Sequence, residues 1–245
     1  MPGAIGKAKS AGRSGGPGSG IGNELQIGAP EDLDASAITR IGNGEIICLD
    51  PELLRAVAAN RMAVLAALRA PAAAVYGVST GVGRFAGYRL DAQDQAEQQQ
   101  RLLAGRAVGG RPWLPATDVR AVMTIKLRGL LAPETGASSE LCCYLAERLN
   151  DRLIPAVPRG GIGCSGEIIP LCHAFQPLAG LGEVLEAGTE ITAEQALRQR
   201  GVAPYRPGPK EGIALIEGSP VATMHAILRG NEAQRVAGWQ LYTLA

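Results

Sequence analysis

The sequence predicts a mainly α fold with a few short strands. Three observations lead there. Apolar residues recur at helical spacing in three separate segments, Leu54–Leu68, Val119–Leu131 and Leu141–Leu149. Capping or stopping residues bound each of them. Strand signals are sparse, and with aromatic residues at only 4% the core must be filled by Leu, Ala, Val and Ile.

Taken in order, residues 1–30 stand apart. "MPGAIGKAKSAGRSGGPGSGIGN" carries Lys7, Lys9 and Arg13 but no continuous apolar run of the signal-peptide kind. Its Gly, Ser and Pro content buries too little to offset ordering entropy, so the stretch reads as a disordered tail, with a transit peptide as the minor alternative. Residues 31–245 read as the folded part. Glu45–Leu49 is a strand candidate. Asp50-Pro51 starts a helix, the acid as N-cap and the proline in the first turn. Leu54, Ala58, Met62, Leu65 and Leu68 form its stripe, which ends before Pro71. Ala73–Tyr76 is the second strand candidate. Gln93–Leu103, "QDQAEQQQRLL", is polar and rich in helix formers, so it predicts a helix solvated on one face. Val119, Met123, Leu127, Leu130 and Leu131 follow Asp118, and Pro133 stops them. Leu141, Leu145 and Leu149 lie behind Ser138 or Ser139. Thr192 and Gln195 have capping-box spacing, and Gly201 is placed to end that short helix.

Composition narrows the function. The formal net charge of +1 supplies no electrostatic reason for nucleic acid or an anionic membrane as partner. No apolar run approaches the roughly 20 residues that cross a bilayer. The 5 cysteines are odd in number and show no CxxC spacing, which argues against a disulfide framework or a zinc site and makes a reducing cytoplasm the default.

Three motif readings compete for the glycine-rich segments. Gly161-x-Gly163-x-x-Gly166 has dinucleotide-loop spacing, but the entry "LIPAVPRG" carries Pro155 and Pro158, which do not suit a central parallel strand. Gly77-x-Ser79-x-Gly81 has nucleophile-elbow spacing. Its histidine partner would be His173 or His225, both embedded in apolar sequence, and alternating βα units are absent. The third reading is self-processing at Cys164-Ser165-Gly166. In a tight bend the Gly166 nitrogen attacks the Cys164 carbonyl, and a five-membered ring closes with loss of water. Loss of the Ser165 hydroxyl as a second water leaves an exocyclic methylidene group. Glycine permits the approach because it has no Cβ, and serine carries the eliminable hydroxyl.

Ordered segments then bring in a family. "VYGVSTGVGRFA" (75–86) resembles the Tyr-Gly-x-x-Thr-Gly-Phe-Gly segment of the aromatic amino acid lyases, which include histidine and phenylalanine ammonia-lyases. "GGIGCSGEIIPLCH" (160–173) is similar to their Gly-Ser-x-Gly-Ala-Ser-Gly-Asp-Leu-x-Pro-Leu-x-His signature. "GPKEGIALIEGSP" (208–220) resembles their Lys-Glu-Gly-Leu-Ala-Leu-x-Asn-Gly-Thr stretch. The resemblance runs from about Pro30 to the C-terminus. It implies the N-terminal domain of the ammonia-lyase (aspartase-like) fold, truncated before the long central helix bundle is complete.

The resemblance also implies a mechanism. Cys164, Ser165 and Gly166 would form 4-methylideneimidazole-5-one (MIO), with no external cofactor and no metal. The amine of an aromatic L-amino acid would add to it, and Tyr76 would remove the β-proton, leaving an unsaturated acid and ammonia. An unperturbed tyrosine titrates at about 10, so this base needs electropositive surroundings. Gly83 would offer its N–H to the reacting centre, Ala104 and Gly105 would occupy the substrate-sorting pair, and Glu217 would stand beside the substrate. Small residues at 104 and 105 argue against histidine or tyrosine as substrate. An aminomutase shares these motifs, and a non-catalytic remnant or assembly subunit is the reading of another class. Three departures support the latter. Glu167 replaces the family's aspartate, Glu217 replaces its asparagine, and the family's second half lies beyond this chain. The site would then be completed by a homo-oligomer or by a second chain.

Overall fold

The computed structural model describes residues 24–68, 74–160 and 165–244, with only the backbone given for Ser165 and Leu244. A two-stranded parallel pair opens the fold: β1 (Leu25–Ile27) lies beside β2 (Ile47–Leu49), with Leu25 opposite Ile47. Strand β1 therefore falls inside the stretch expected to be a tail, because Ile27 is fully buried and needs only a three-residue partner. Residues 1–23 lie outside the described residues. Helix α1 (Ala35–Gly42) bridges the two strands, and the Asp34 side chain caps it by accepting the Ala37 N–H at 2.8 Å.

Helix α2 (Pro51–Leu68) starts as the sequence predicts, and the stop expected before Pro71 lies outside the described residues. Its buried face, however, is Leu53 and Val57, whereas Met62 is 75% exposed. The later apolar positions pack only in part: Leu68 lies half-buried against the edge of the core and Val64 half-buried beside Gly136, while Met62 turns outward. Val75 and Tyr76 do not form the expected strand but enter a turn. Helix α3 (Ala92–Ala104) follows, with Asp91 accepting the Asp94 N–H at 2.8 Å.

The centre of the fold is α4 (Ala116–Leu131), which packs against α1, α5 (Ser139–Asn150) and α9 (Pro220–Leu244). Val119, Val122, Met123 and Leu127 are fully buried. Two cations on α4 are buried as well, and each has a backbone use. The Arg120 guanidinium donates to the carbonyl of Ile41 at 2.9 Å and to that of Leu149, in the last turns of α1 and α5. Lys126 donates to the carbonyls of Ala214 and Glu217 at the end of α8 (Glu211–Ile216). Terminal carbonyls lack intrahelical partners, and a cation suits the negative end of the helix dipole. Thus α4 satisfies the ends of three neighbouring helices.

Helix α5 is capped by Ser138, which accepts the Leu141 N–H at 3.1 Å. Helix α6 (Ile168–Phe175) lies against α3 and α8. A hairpin absent from the sequence reading follows: β3 (Glu183–Glu186) pairs antiparallel with β4 (Thr189–Thr192). Its strands are short and mostly polar, so alternation did not reveal them. Thr192 and Gln195 form the expected capping box on α7 (Ala193–Gln199), and Gly201 adopts a positive φ of 66° just past its end.

Candidate active site

Three segments that are remote in sequence are held together by backbone chemistry. The first is the turn at Val75–Thr80. The Ser79 hydroxyl accepts the Val75 N–H at 2.9 Å, and Gly77 takes a φ of 70°. The carbonyl of Gly77 accepts the side-chain amides of Gln98 at 3.1 Å and Gln99 at 2.9 Å, both on α3. The other end of the buried Gln99 amide accepts the Ile213 N–H at 3.2 Å, on α8. One side chain therefore joins the Tyr76 turn to the third segment. Gly212 permits the close approach, since a Cβ there would lie 2.1 Å from the Gln99 carbonyl oxygen.

The second segment is the short 3-10 turn Ser165–Glu167 at the head of α6. Gly166 and Glu167 both adopt left-handed backbone, with φ of 72° and 52°. For Glu167 that conformation is uncommon and has to be held in place. The tie is its carboxylate, which is buried and accepts the N–H groups of Val221 and Ala222, each at 2.8 Å, in the first turn of α9.

The third segment ends α8, where Glu217 is the C-cap and Gly218 takes a φ of 87°. Together the three enclose an open hollow of about 230 Å³, which Tyr76, Gly83, Gly166, Glu217 and Gly218 line. Val82, Leu102, Ile168, Ile213 and Ile216 form its apolar wall, and Arg106 adds a cation. The Gly83 N–H donates to the Tyr76 phenol oxygen at 3.0 Å and so fixes the tip of that ring. Lys126, buried beneath α8, has its ammonium pushed down to about 8, chiefly by burial and in spite of Glu217 and Glu167 nearby.

Of the sequence-predicted site residues, the hollow brings together Tyr76, Gly83, Gly166 and Glu217. The backbone of Ser165 adjoins it in the same turn, and Cys164 lies outside the described residues. Ala104 and Gly105 are exposed and do not line it. Leu102 and Arg106 line it instead, four positions apart, a spacing that shares one side of a helix. Glu167 also does not face the hollow: its extra methylene carries the carboxylate to α9. The Ser79 hydroxyl accepts a backbone N–H within its own turn, and His173 is packed near Trp113 with its rings 6.1 Å apart. Neither arrangement resembles a nucleophile with its base. Among the described residues no cluster of His, Cys, Asp or Glu has metal-ligand geometry, and no helix is long and apolar enough to cross a membrane.

The family profile for aromatic amino acid lyases matches residues 33–245. The chain belongs to the aromatic amino acid lyase family. It is 33% identical over 212 residues to a histidine ammonia-lyase of Bradyrhizobium diazoefficiens, covering 85% of this chain and 41% of that protein. Among solved structures, a tyrosine aminomutase from Streptomyces globisporus superposes with a TM-score of 0.77 at 26% identity, over 84% of this chain and 39% of that one. A phenylalanine aminomutase from Pantoea agglomerans shares the fold, with a TM-score of 0.81 over 89% of this chain and 42% of its own. The chain thus spans about two-fifths of the length of these relatives.

Sequence reasoning passed over Gln99, Arg106 and Lys126. The two lysine and glutamine roles depend on backbone atoms of α8 and carry no local signal. A polar Gln run reads as a solvated face, whichever of its members turns inward.

Proposed function

We propose that this chain carries the electrophile-bearing part of an ammonia-lyase that eliminates ammonia from an aromatic L-amino acid. The observation supporting it is the convergence of Tyr76, Gly83, Gly166 and Glu217 on one hollow from three distant segments. The consecutive positive φ values at Gly166 and Glu167 suit a cyclised Cys164-Ser165-Gly166 group, since such a backbone already bends sharply at the nitrogen that must attack. When formed, that group supplies an electron-poor alkene that turns the substrate amine into a better leaving group.

The remaining tasks fall to side chains. Tyr76 is the base for the β-proton, and the Gly83 N–H donates to its oxygen and holds that atom in place for the proton transfer. The isoleucine wall at Ile168, Ile213 and Ile216 shields the reacting carbons from water on one side. Tyr76 is still 52% exposed, so the opposite wall comes from another polypeptide segment, in a homo-oligomer or a second chain. The likeness to a tyrosine aminomutase favours a second reading, in which the ammonia is returned at the β-carbon. Product analysis separates the two, as a β-amino acid or an unsaturated acid.

Intact-protein mass tests the proposal. Ring formation removes two waters from the peptide containing Cys164–Gly166 and creates a near-ultraviolet absorption that Ser165→Ala abolishes. An unmodified mass in the assembled protein overturns it.

A further inference from the structure

Among the described residues, five arginines are buried or half-buried: Arg61, Arg106, Arg120, Arg148 and Arg200. Four of them are hydrogen-bonded within the protein. Arg61 donates to the Gly136 carbonyl, Arg120 to that of Ile41, Arg148 to Asp151 and Arg200 to Glu186. Arg106 is the exception. It follows the Gly105 cap of α3, lines the hollow beside Leu102, and makes no hydrogen bond or ion pair with any described residue. A half-buried guanidinium that the fold does not use is an unspent set of donors against an apolar wall.

Glu217 lines the same hollow, yet no ion pair within 4 Å joins it to Arg106. The cavity therefore holds a cation and an anion that do not neutralise each other. That arrangement is complementary to a zwitterion, with a carboxylate at Arg106 and an ammonium toward Glu217. The planar fork of a guanidinium matches a carboxylate with two parallel hydrogen bonds, a geometry that an ammonium cannot reproduce.

We propose that Arg106 is the carboxylate receptor of this hollow. The assignment rests on the reading of the hollow as an amino acid site. The carboxylate has two possible sources: the α-carboxylate common to all amino acids, or an acidic substituent on the substrate's side chain.

Binding to the full chain, followed by amide chemical shifts, tests the proposal with four probes: benzoate, L-phenylalanine, 4-carboxy-L-phenylalanine and phenethylamine, which has no carboxylate. Benzoate is expected to shift the Gly83 and Gly166 signals, and Arg106→Gln to weaken it by about tenfold or more, with Arg106→Lys intermediate. Phenethylamine should bind both proteins equally. If L-phenylalanine weakens along with benzoate, the α-carboxylate is the ligand. If only 4-carboxy-L-phenylalanine does, the side-chain acid is. Carboxylates that do not bind the wild type at these signals, or that bind wild type and Arg106→Gln alike, overturn the proposal. A thermal melt of each variant separates loss of binding from loss of fold. Peptide mass at Cys164–Gly166 on the same samples tests the ammonia-lyase reading separately, because carboxylate binding needs no cyclised group.

Discussion

The Glu167 carboxylate accepts the backbone N–H of Val221 at 2.8 Å, across 54 positions of sequence. Its second oxygen takes the Ala222 N–H at the same distance. A buried anion is thereby placed at the N-terminal end of α9, where the dipole and two orphan donors favour it. The same side chain holds Glu167 and Gly166 in left-handed backbone, so the long helix and the sharp turn stabilise each other.

Glu167→Gln offers one acceptor where two were used and points an amide donor at a backbone donor. We expect a loss of about 2–3 kcal/mol, typical of bonds to a buried charged acceptor. Glu167→Asp should lose nearly as much, because the shorter chain does not span the gap. Urea unfolding measures both. A Glu167→Asp variant as stable as wild type would show that the reach of this side chain is immaterial.

Gly212 is expected to tolerate no side chain. A Cβ would meet the Gln99 carbonyl oxygen at 2.1 Å, and that atom is backbone within α3, so no rotamer change relieves the clash. Gly212→Ala should push α8 from α3, break the Gln99–Ile213 bond and cost about 3 kcal/mol or more. Gly230, on the exposed part of α9, has nothing within 4 Å, and Gly230→Ala should be neutral or slightly stabilising. Thermal melts of the pair make the comparison, and equal melting temperatures would refute the packing argument.

These two contacts mark the limit of what the residues disclose. The Ser138 cap, the Thr192–Gln195 box and the proline stops at Pro71 and Pro133 are local. Each is decided within about four residues, and each appears where the pattern puts it, apart from Pro71, which lies outside the described residues. Tyr76, Gly83, Gly166 and Glu217 were legible only because three ordered segments resemble one family. Gln99, Arg120 and Lys126 were not legible, since their partners are carbonyls and N–H groups far along the chain. The placement at Ala104 and Gly105 missed the hollow by a helical rotation. Leu102 and Arg106 line it, while Ala104 and Gly105 between them face solvent and Leu103 is buried in the core.

Glu211 anchors the start of α8. Its buried carboxylate accepts the Ser138 N–H at 3.0 Å, the Gly208 N–H at 2.7 Å and the Tyr205 hydroxyl at 2.8 Å, with Arg61 3.4 Å away. Removing it leaves the Arg61 guanidinium with the Gly136 carbonyl but no counter-charge, and takes the acceptor from two backbone donors. Glu211→Ala is expected to destabilise by about 3–5 kcal/mol, as for a broken buried pair. Arg61→Met should cost less, because the carboxylate keeps three donors. Denaturant midpoints rank the two, and the reverse order would contradict the assignment of the carboxylate as the hub.

Lys126 gives a pH signature of its own. Burial is the main cause that lowers its ammonium to about 8 in the folded chain, whereas an unfolded lysine titrates at about 10.4. Below pH 8 both states hold the proton, and the folded state bears the full cost of the buried charge. Between about 8 and 10.4 the unfolded state binds more protons, so raising the pH stabilises the fold through this group. Above that window both states are neutral and the effect levels off. Lys126→Met removes the titration while also leaving the Ala214 and Glu217 carbonyls without a donor. Wild type should therefore gain stability relative to Lys126→Met between pH 7 and pH 9.5, by on the order of 1–2 kcal/mol. Paired urea titrations at the two pH values read this difference directly. A gap that stays constant, or that shrinks as the pH rises, would mean that Lys126 keeps an ordinary proton affinity, and its ammonium would then have to reach water instead of lying sealed beneath α8.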